Sequence, residues 1–164
     1  MKHAWLIGLV LLAGCDNEQA GNPPPPPAIM GSDAVGHFCQ MNVAEHPGPK
    51  GQAHIAGHEE PVWFPSVRDL LTYRVLPGET DKVVALYVSD MSAAPSFEKI
   101  DPARWIAVDE AFYVIDSQIS GGMGASEAVP FSHREDADAF QARHGGKVVR
   151  LAEIDQDWIF GENP

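Results

Sequence analysis

Signals for strands and helices occur twice in the same order after residue 34, and this order limits the folds that the chain can adopt. In the first half, extended runs at 52–56 and 61–64 precede a stretch with apolar residues at helical spacing, which begins near Ser66 and ends at Pro77-Gly78. The β-branched and aromatic run 83–88 then predicts a strand. The order of the first half is therefore β-β-α-β.

The second half repeats this order around a helix predicted from Arg134 to Arg143, with Gly145-Gly146 at its C-terminus. Strands are predicted at 105–108, 111–115, 128–131 and 147–151, and a glycine-rich loop at 121–124. The sequence therefore predicts an α+β fold, in which two small ββαβ-like lobes, 35–92 and 93–164, pack as one compact domain. The second of these ranges begins with a connection between the lobes.

The first 14 residues are typical of a secretory signal peptide. Lys2 provides a positive charge, and the apolar run that follows is too short to span a bilayer. The residues LAGC at 12–15 resemble the bacterial lipobox, in which the signal is cut before a cysteine that receives the lipid. We expect Cys15 to be lipidated, the alternative being an ordinary signal peptide cut elsewhere. Asp16 resembles the residue that retains lipoproteins in the inner membrane of enteric bacteria.

Residues 15–34 predict a tether between the lipid and the folded domain. The run from Pro23 to Pro27 favours an extended polyproline conformation, and the segment offers almost nothing to bury. A docking site for an aromatic groove is the alternative interpretation of the proline run.

The chain is strongly acidic. Its 164 residues carry 11 basic and 23 acidic groups, and removal of the signal takes away Lys2 and no acid, which leaves 10 basic groups and a net charge of about −13. This charge argues against nucleic acid as a partner.

The chain has 2 cysteines, and one of them has no disulfide partner if the other is lipidated. An unpaired thiol in an oxidising compartment is expected to be buried, paired between chains, or held by a metal or a reaction partner. Met41 follows Cys39 by two residues, and thiolate and thioether sulfur are soft ligands that favour Cu(I). A buried free cysteine beside a core methionine is the alternative.

Met123 is the best candidate for a third soft ligand, because Gly122 and Gly124 allow its backbone to approach a partner closely. Met91 is a weaker candidate, and His37 could add a nitrogen ligand. The alternative for Met123 is a loop methionine that packs over the second lobe. The histidines show no zinc motif, because His54 and His58 flank a predicted turn.

These residues together resemble the NosL family of lipoproteins. The resemblance covers nearly all of the exported chain and rests on the lipobox, the Cys-x-Met motif, Phe140 and five phrases in the same order: WFPSVRDL at 63–70, DEAFYV at 109–114, MG at 123–124, VPF at 129–131 and HGG at 144–146. The chain departs from the commonest family pattern at Gln40, where many relatives have glycine, and this puts the geometry of that loop in question.

The resemblance implies a periplasmic, lipid-anchored Cu(I) chaperone with two ββαβ-like units. Such a protein would deliver copper for the tetranuclear copper-sulfide centre of nitrous oxide reductase, beside an ABC-type transporter complex. We therefore expect no enzymatic activity and a copper site formed by Cys39, Met41 and Met123. A protein-protein assembly factor of the same pathway and a thiol-dependent enzyme are the alternatives.

Overall fold

The computed structural model describes residues 23–78 and 82–161. The predicted signal peptide and Cys15 lie outside these residues. The helices and strands are β1 (Gly51–Ile55), β2 (Val62–Phe64), α1 (Val67–Val75), β3 (Val83–Ser89), β4 (Trp105–Ala107), β5 (Phe112–Ile115), β6 (Val129–Phe131), α2 (Arg134–His144), β7 (Lys147–Arg150) and α3 (Gln156–Phe160). Within the described ranges, no helix combines the length and the apolar character needed to span a membrane.

The first sheet is antiparallel and has the strand order β2-β1-β3-β4. Its inner face packs against α1, which begins where the Ser66 hydroxyl accepts a hydrogen bond from the Asp69 N–H at 3.0 Å. The contact between helix and sheet is close at Gly51, where an added Cβ would lie 2.6 Å from Leu70 Cβ. Glycine is therefore required at this crossing.

The second sheet is also antiparallel, with the order β6-β5-β7, and α2 covers one of its faces. The predicted helix and its glycine end are confirmed, since Gly145 and Gly146 have φ angles of 72° and 89°. The β-β-α-β unit of each half has the same internal strand order, β2-β1-β3 in the first and β6-β5-β7 in the second.

The run 105–108 is predicted to belong to the second lobe, but β4 extends the first sheet. Val88 of β3 pairs with Ile106, and this register turns the buried Ile106 side chain toward the same core as Val88. A single short strand carries no information about its pairing partner, so the sequence alone could not assign β4 to a sheet. The division of the chain after residue 92 stays a prediction.

One hydrophobic core joins the two sheets, so they pack as one compact domain. The two antiparallel sheets and their helices confirm the predicted α+β class. Inward-facing residues of β1 and β3 share this core with Tyr113 and Ile115 of β5, Val149 of β7 and Trp158 of α3. A smaller core lies between the second sheet and α2. Because the largest core draws on both sheets, the two units support each other.

Residues 23–30, which we call the proline strap, lie across the outer face of the first sheet. The Tyr87 hydroxyl donates to Pro25 O at 2.7 Å, and Gln52 exchanges two hydrogen bonds with the backbone of Ala28, at 2.8 and 3.1 Å. Tyr87 and Gln52 are neighbours in the strand register. The C-terminal part of the predicted tether thus lies on the sheet, because the free carbonyls of a polyproline conformation accept these side-chain donors. The bounds of the tether, 15–34, stay a prediction.

Candidate metal centre

Residues 36–41, which we call the sulfur loop, form a tight turn at the edge of the first sheet. The Gly36 N–H donates to Met41 O and the Gln40 N–H donates to Gly36 O, both at 2.9 Å. The loop is attached to β2, because the His37 N–H donates to Trp63 O at 2.8 Å. Cys39 and Met41 are therefore held in a closed loop rather than in a strand.

Gln40 adopts the geometry that glycine would take most easily, with φ at 58°. A side chain in this left-handed region costs roughly 1–2 kcal/mol. The Gln40 side-chain amide offsets this cost by donating to His37 O at 2.8 Å and to Gly36 O at 3.4 Å. The loop thus keeps a tight turn although residue 40 is Gln rather than Gly.

The two sulfur residues of the loop lie close to each other and to solvent. The Met41 N–H approaches Cys39 Sγ at 3.5 Å, Cys39 is half-buried, and 42% of Met41 is exposed. A Cβ on residue 36 would lie 2.7 Å from Cys39 Sγ, so the thiol requires glycine there. A thiol and an exposed thioether within one loop can bind a soft cation from solvent.

His37 packs among aromatic rings beside the sulfur loop. Its ring meets those of Phe38 and Tyr73 edge-on, with centroids 5.0 and 5.2 Å away, and lies 5.9 Å from the ring of Phe64. These contacts restrain the imidazole within a cluster of aromatic rings beside the sulfur loop. The possible role of His37 as a nitrogen ligand stays a prediction.

Met123 lies in a second loop, residues 120–126, which we call the glycine loop. The loop is closed by hydrogen bonds from the Gly121 N–H to Ala125 O and from the Gly124 N–H to Gly121 O, both at 2.8 Å, and 41% of Met123 is exposed. Gly122 lies against the segment that follows the sulfur loop, since a Cβ on Gly122 would be 2.5 Å from Pro47 O. The fold thus places the glycine loop against the turn at His46 and Pro47, and the role of Met123 as a ligand stays a prediction.

Met91 and the paired histidines lie elsewhere. Met91 is only 8% exposed and belongs to the core between the second sheet and α2. His54 Nε2 lies 2.9 Å from Gln52 Oε1. Across residues 23–78 and 82–161, no group of three or more His, Cys, Asp or Glu side chains is arranged to hold a metal.

Two charged residues near the loops are buried, although no sequence motif singles them out. Lys50 is 1% exposed, and its ammonium donates to carbonyl groups of neighbouring turns. Glu127 is also 1% exposed; its Oε1 accepts from the N–H groups of Ala128 and Arg68, at 2.9 and 3.1 Å, whereas no group in the described structure bonds to its Oε2. Burial lowers the pKa of Lys50 to about 8 and raises the pKa of Glu127 to about 8.

The shifted pKa of Glu127 predicts how stability depends on pH. The pKa rises from 4.5 in the unfolded chain to about 8 in the fold, so between these values only the folded state holds the proton. The free energy of unfolding should therefore decrease as the pH rises through this range. We expect Glu127→Gln to remove most of this decrease in urea denaturation at several pH values, whereas the exposed Glu60→Gln should keep it. A wild-type slope in Glu127→Gln would contradict the assignment.

Two relatives match most of the chain in sequence. The copper-binding lipoprotein NosL of Achromobacter cycloclastes is 44% identical over 147 residues, which cover 89% of this chain and 75% of that protein. The copper-binding lipoprotein NosL of Stutzerimonas stutzeri is 37% identical over 147 residues, which cover 88% of this chain and 74% of that protein.

Solved structures match the fold as well. The crystal structure of the copper chaperone NosL from Shewanella denitrificans superposes with a TM-score of 0.74 at 36% identity, covering 82% of this chain and 98% of that chain. The solution NMR structure of the apo-NosL protein from Achromobacter cycloclastes gives a TM-score of 0.50 at 41% identity, covering 67% of this chain and 88% of that chain.

The family model for NosL matches residues 27–159, which include both the sulfur loop and the glycine loop. The resemblance inferred from the sequence motifs is confirmed by this match, by the two relatives and by the shared fold. The chain belongs to the NosL family.

Proposed function

We propose that this protein is a copper carrier that binds Cu(I) through Cys39 and Met41, with Met123 as a third ligand. The observation that carries the proposal is the closed sulfur loop, which presents a half-buried thiol and an exposed thioether together. The glycine loop lies against the segment that follows this loop and adds a second exposed thioether. The relatives named copper-binding lipoprotein and copper chaperone support the same role.

The chemistry of the three ligands suits an ion that has to be passed on. The cysteine thiolate supplies negative charge and strong affinity, whereas the thioethers are neutral and bind more weakly. Met41 and Met123 are both about two-fifths exposed, at 42% and 41%, so an incoming ligand from a partner can reach the ion. We propose a carrier rather than an enzyme, because these residues bind and release an ion without a further reaction.

We propose nitrous oxide reductase as the recipient, with delivery for its copper-sulfide centre beside an ABC-type maturation complex. This part of the proposal rests on the resemblance to the NosL family rather than on the site geometry. The lipobox at 12–15 supports periplasmic anchoring through Cys15, and Asp16 favours the inner membrane. The reductase proposal predicts that deletion of the protein lowers the copper content of the purified reductase, and full copper loading would contradict it.

The ligand set can be tested by replacing each thioether with leucine, which keeps the side-chain volume. We expect Met41→Leu and Met123→Leu each to weaken Cu(I) binding about tenfold, or about 1.4 kcal/mol, in competition with a chromogenic Cu(I) chelator. X-ray absorption should count three sulfur neighbours in the wild type and two in each variant.

Met91→Leu is the matched control, because Met91 is buried in the core away from the site and should leave both readouts unchanged. If Met123→Leu leaves the affinity and the sulfur count unchanged while Met41→Leu alters both, the site is local to the sulfur loop. His37 would then be the leading candidate for the remaining position.

A further inference from the structure

We propose that Lys50 is a positioning residue that fixes the sulfur loop and the glycine loop relative to each other, and thereby places Met123 within reach of the metal held by Cys39. This inference rests on the proposed function, since it concerns how the ligand set is assembled.

The Lys50 ammonium is buried at the point where four carbonyl groups converge. It donates to His46 O at 2.7 Å, to Gly48 O at 2.8 Å, to Pro47 O at 3.2 Å and to Pro65 O at 3.3 Å. The first three carbonyls belong to the turn that follows the sulfur loop, and the fourth belongs to the junction between β2 and α1. One side chain therefore ties together two separate segments of backbone.

The first of these segments supports the glycine loop. A Cβ on Gly122 would lie 2.5 Å from Pro47 O and 2.8 Å from His46 Cβ, so the loop backbone rests directly on these two residues. The position of Met123 beside Gly122 is thus set by the turn that the ammonium holds.

The second segment supports the sulfur loop. Gly36 lies against the ring of Pro65 and against the thiol, since a Cβ there would be 3.2 Å from Pro65 Cδ and 2.7 Å from Cys39 Sγ. Lys50 therefore bonds to the turn that contacts Gly122, the neighbour of Met123. It also bonds to Pro65, whose ring lies against the sulfur loop at Gly36. A shift of either segment would change the separation of the two sulfur residues.

A lysine suits this place because its ammonium has three donors and can rotate toward convergent acceptors, whereas the planar fork of arginine cannot. The backbone of Lys50 is held independently, because its N–H donates to Ser89 Oγ and its carbonyl accepts from the Ser89 N–H, both at 3.0 Å. A substitution at Lys50 can therefore remove the ammonium while the start of β1 stays in place.

Glu127 is the acid to which the charge of Lys50 is coupled. Its carboxyl group also packs against the glycine loop, since a Cβ on Gly121 would lie 2.7 Å from Glu127 Oε2. Removing Lys50 alone would also remove the positive charge that lowers the pKa of Glu127, and this would change stability for reasons unrelated to the metal. The informative variant is therefore Lys50→Met combined with Glu127→Gln, with Glu127→Gln alone as its reference.

The first readout is amide hydrogen exchange of the metal-free domain. We expect faster exchange at Gly124 and Gln40, whose N–H groups close the two loops, in the Lys50→Met/Glu127→Gln variant than in Glu127→Gln. Lys99→Met is the matched control, because Lys99 is an exposed lysine near the same turn and its loss should leave both rates unchanged.

The second readout is binding of Cu(I) alone. We expect the double variant to bind about 10-fold to 100-fold more weakly than Glu127→Gln, the range usual for loss of an outer partner of a metal ligand. Its sulfur count by X-ray absorption should fall from three to two. Adding Met123→Leu should then weaken binding by no more than about twofold, because Met123 would already be out of reach.

If Met123→Leu weakens Cu(I) binding as much in the double variant as in the wild type, Met123 still binds the ion without Lys50, and the inference is wrong. Unchanged exchange at both loops would overturn it as well. If the double variant does not fold, Gly122→Ala tests the same idea with Lys50 intact. The added methyl group must push the glycine loop off Pro47, so it should reproduce the lower sulfur count, and a count of three would refute the inference.

The inference and the proposed function fail in different ways. If the wild type binds no Cu(I), the proposed function is wrong, and the exchange rates still decide whether Lys50 holds the loops. If the wild type binds Cu(I) with three sulfur neighbours and the double variant does the same, the carrier function stands and the role of Lys50 is wrong.

Discussion

Cys39→Ala is expected to weaken Cu(I) binding by more than about 100-fold, which exceeds the loss usual for an outer partner of a metal ligand. Cys39 supplies the thiolate of the proposed site, and its charge and softness cannot be replaced by the neutral thioethers. The measurement is a competition titration of the reduced soluble domain, residues 16–164, in which Cys39 is the only thiol.

The same variant should fold like the wild type without metal. Cys39 is half-buried in a loop outside the large core shared by the two sheets, so the core should form independently of copper. Circular dichroism of the metal-free wild type and of Cys39→Ala should therefore agree. Tight binding retained in Cys39→Ala would refute the site, and loss of structure on chelation of the wild type would make the metal structural.

Cys15→Ser is expected to abolish incorporation of labelled fatty acid into the protein. Cys15 is the acylation site inferred from the lipobox, and serine offers no thiol for the lipid. Acyl chains contribute about 0.8 kcal/mol for each buried CH₂ group, so their loss should also remove membrane retention once the signal peptide has been cut.

Cys39→Ser is the matched control, because it removes the other of the 2 cysteines and should keep the label. Labelled protein should appear in the membrane fraction for the wild type and for Cys39→Ser. A label that persists in Cys15→Ser would show that the lipid is attached elsewhere, and full membrane retention of a cleaved Cys15→Ser product would show that another feature anchors the chain.

The predictable part of the fold is the part that depends on local pattern. The run 83–88 is β-branched and became β3, and the helix predicted from Arg134 to Arg143 is observed as α2, which ends one residue later. The partner of β4 was not predictable, because pairing depends on how residues 90–104 turn the chain back. The contacts of the strap were not predictable either, because its hydrogen bonds involve side chains more than 20 residues away in sequence.

The candidate site also has a part that the sequence pattern predicts and a part that only the fold shows. Cys39 and Met41 are close in sequence, and their motif was sufficient to single them out. The glycine neighbours of Met123 single it out in the sequence, but the contact of Gly122 with Pro47 is visible only in the fold. Lys50 and Glu127 were missed because a charged residue normally indicates a solvated surface. Their burial could have been inferred from their positions in the sequence, since each lies directly at the start of a buried strand segment.

The proline strap also sets how far the domain can travel from the lipid. A chain from Cys15 to residue 35 could extend about 70 Å, whereas the span from Cys15 to Pro25, which accepts a hydrogen bond from Tyr87 of the sheet, allows at most about 35 Å. With Cys15 acylated as proposed, the first sheet would remain within a thin layer above the lipid headgroups. A copper-accepting partner would then have to present its receiving surface at that height, so lengthening the segment before Pro23 should impair delivery to a partner of fixed geometry without changing affinity for the ion.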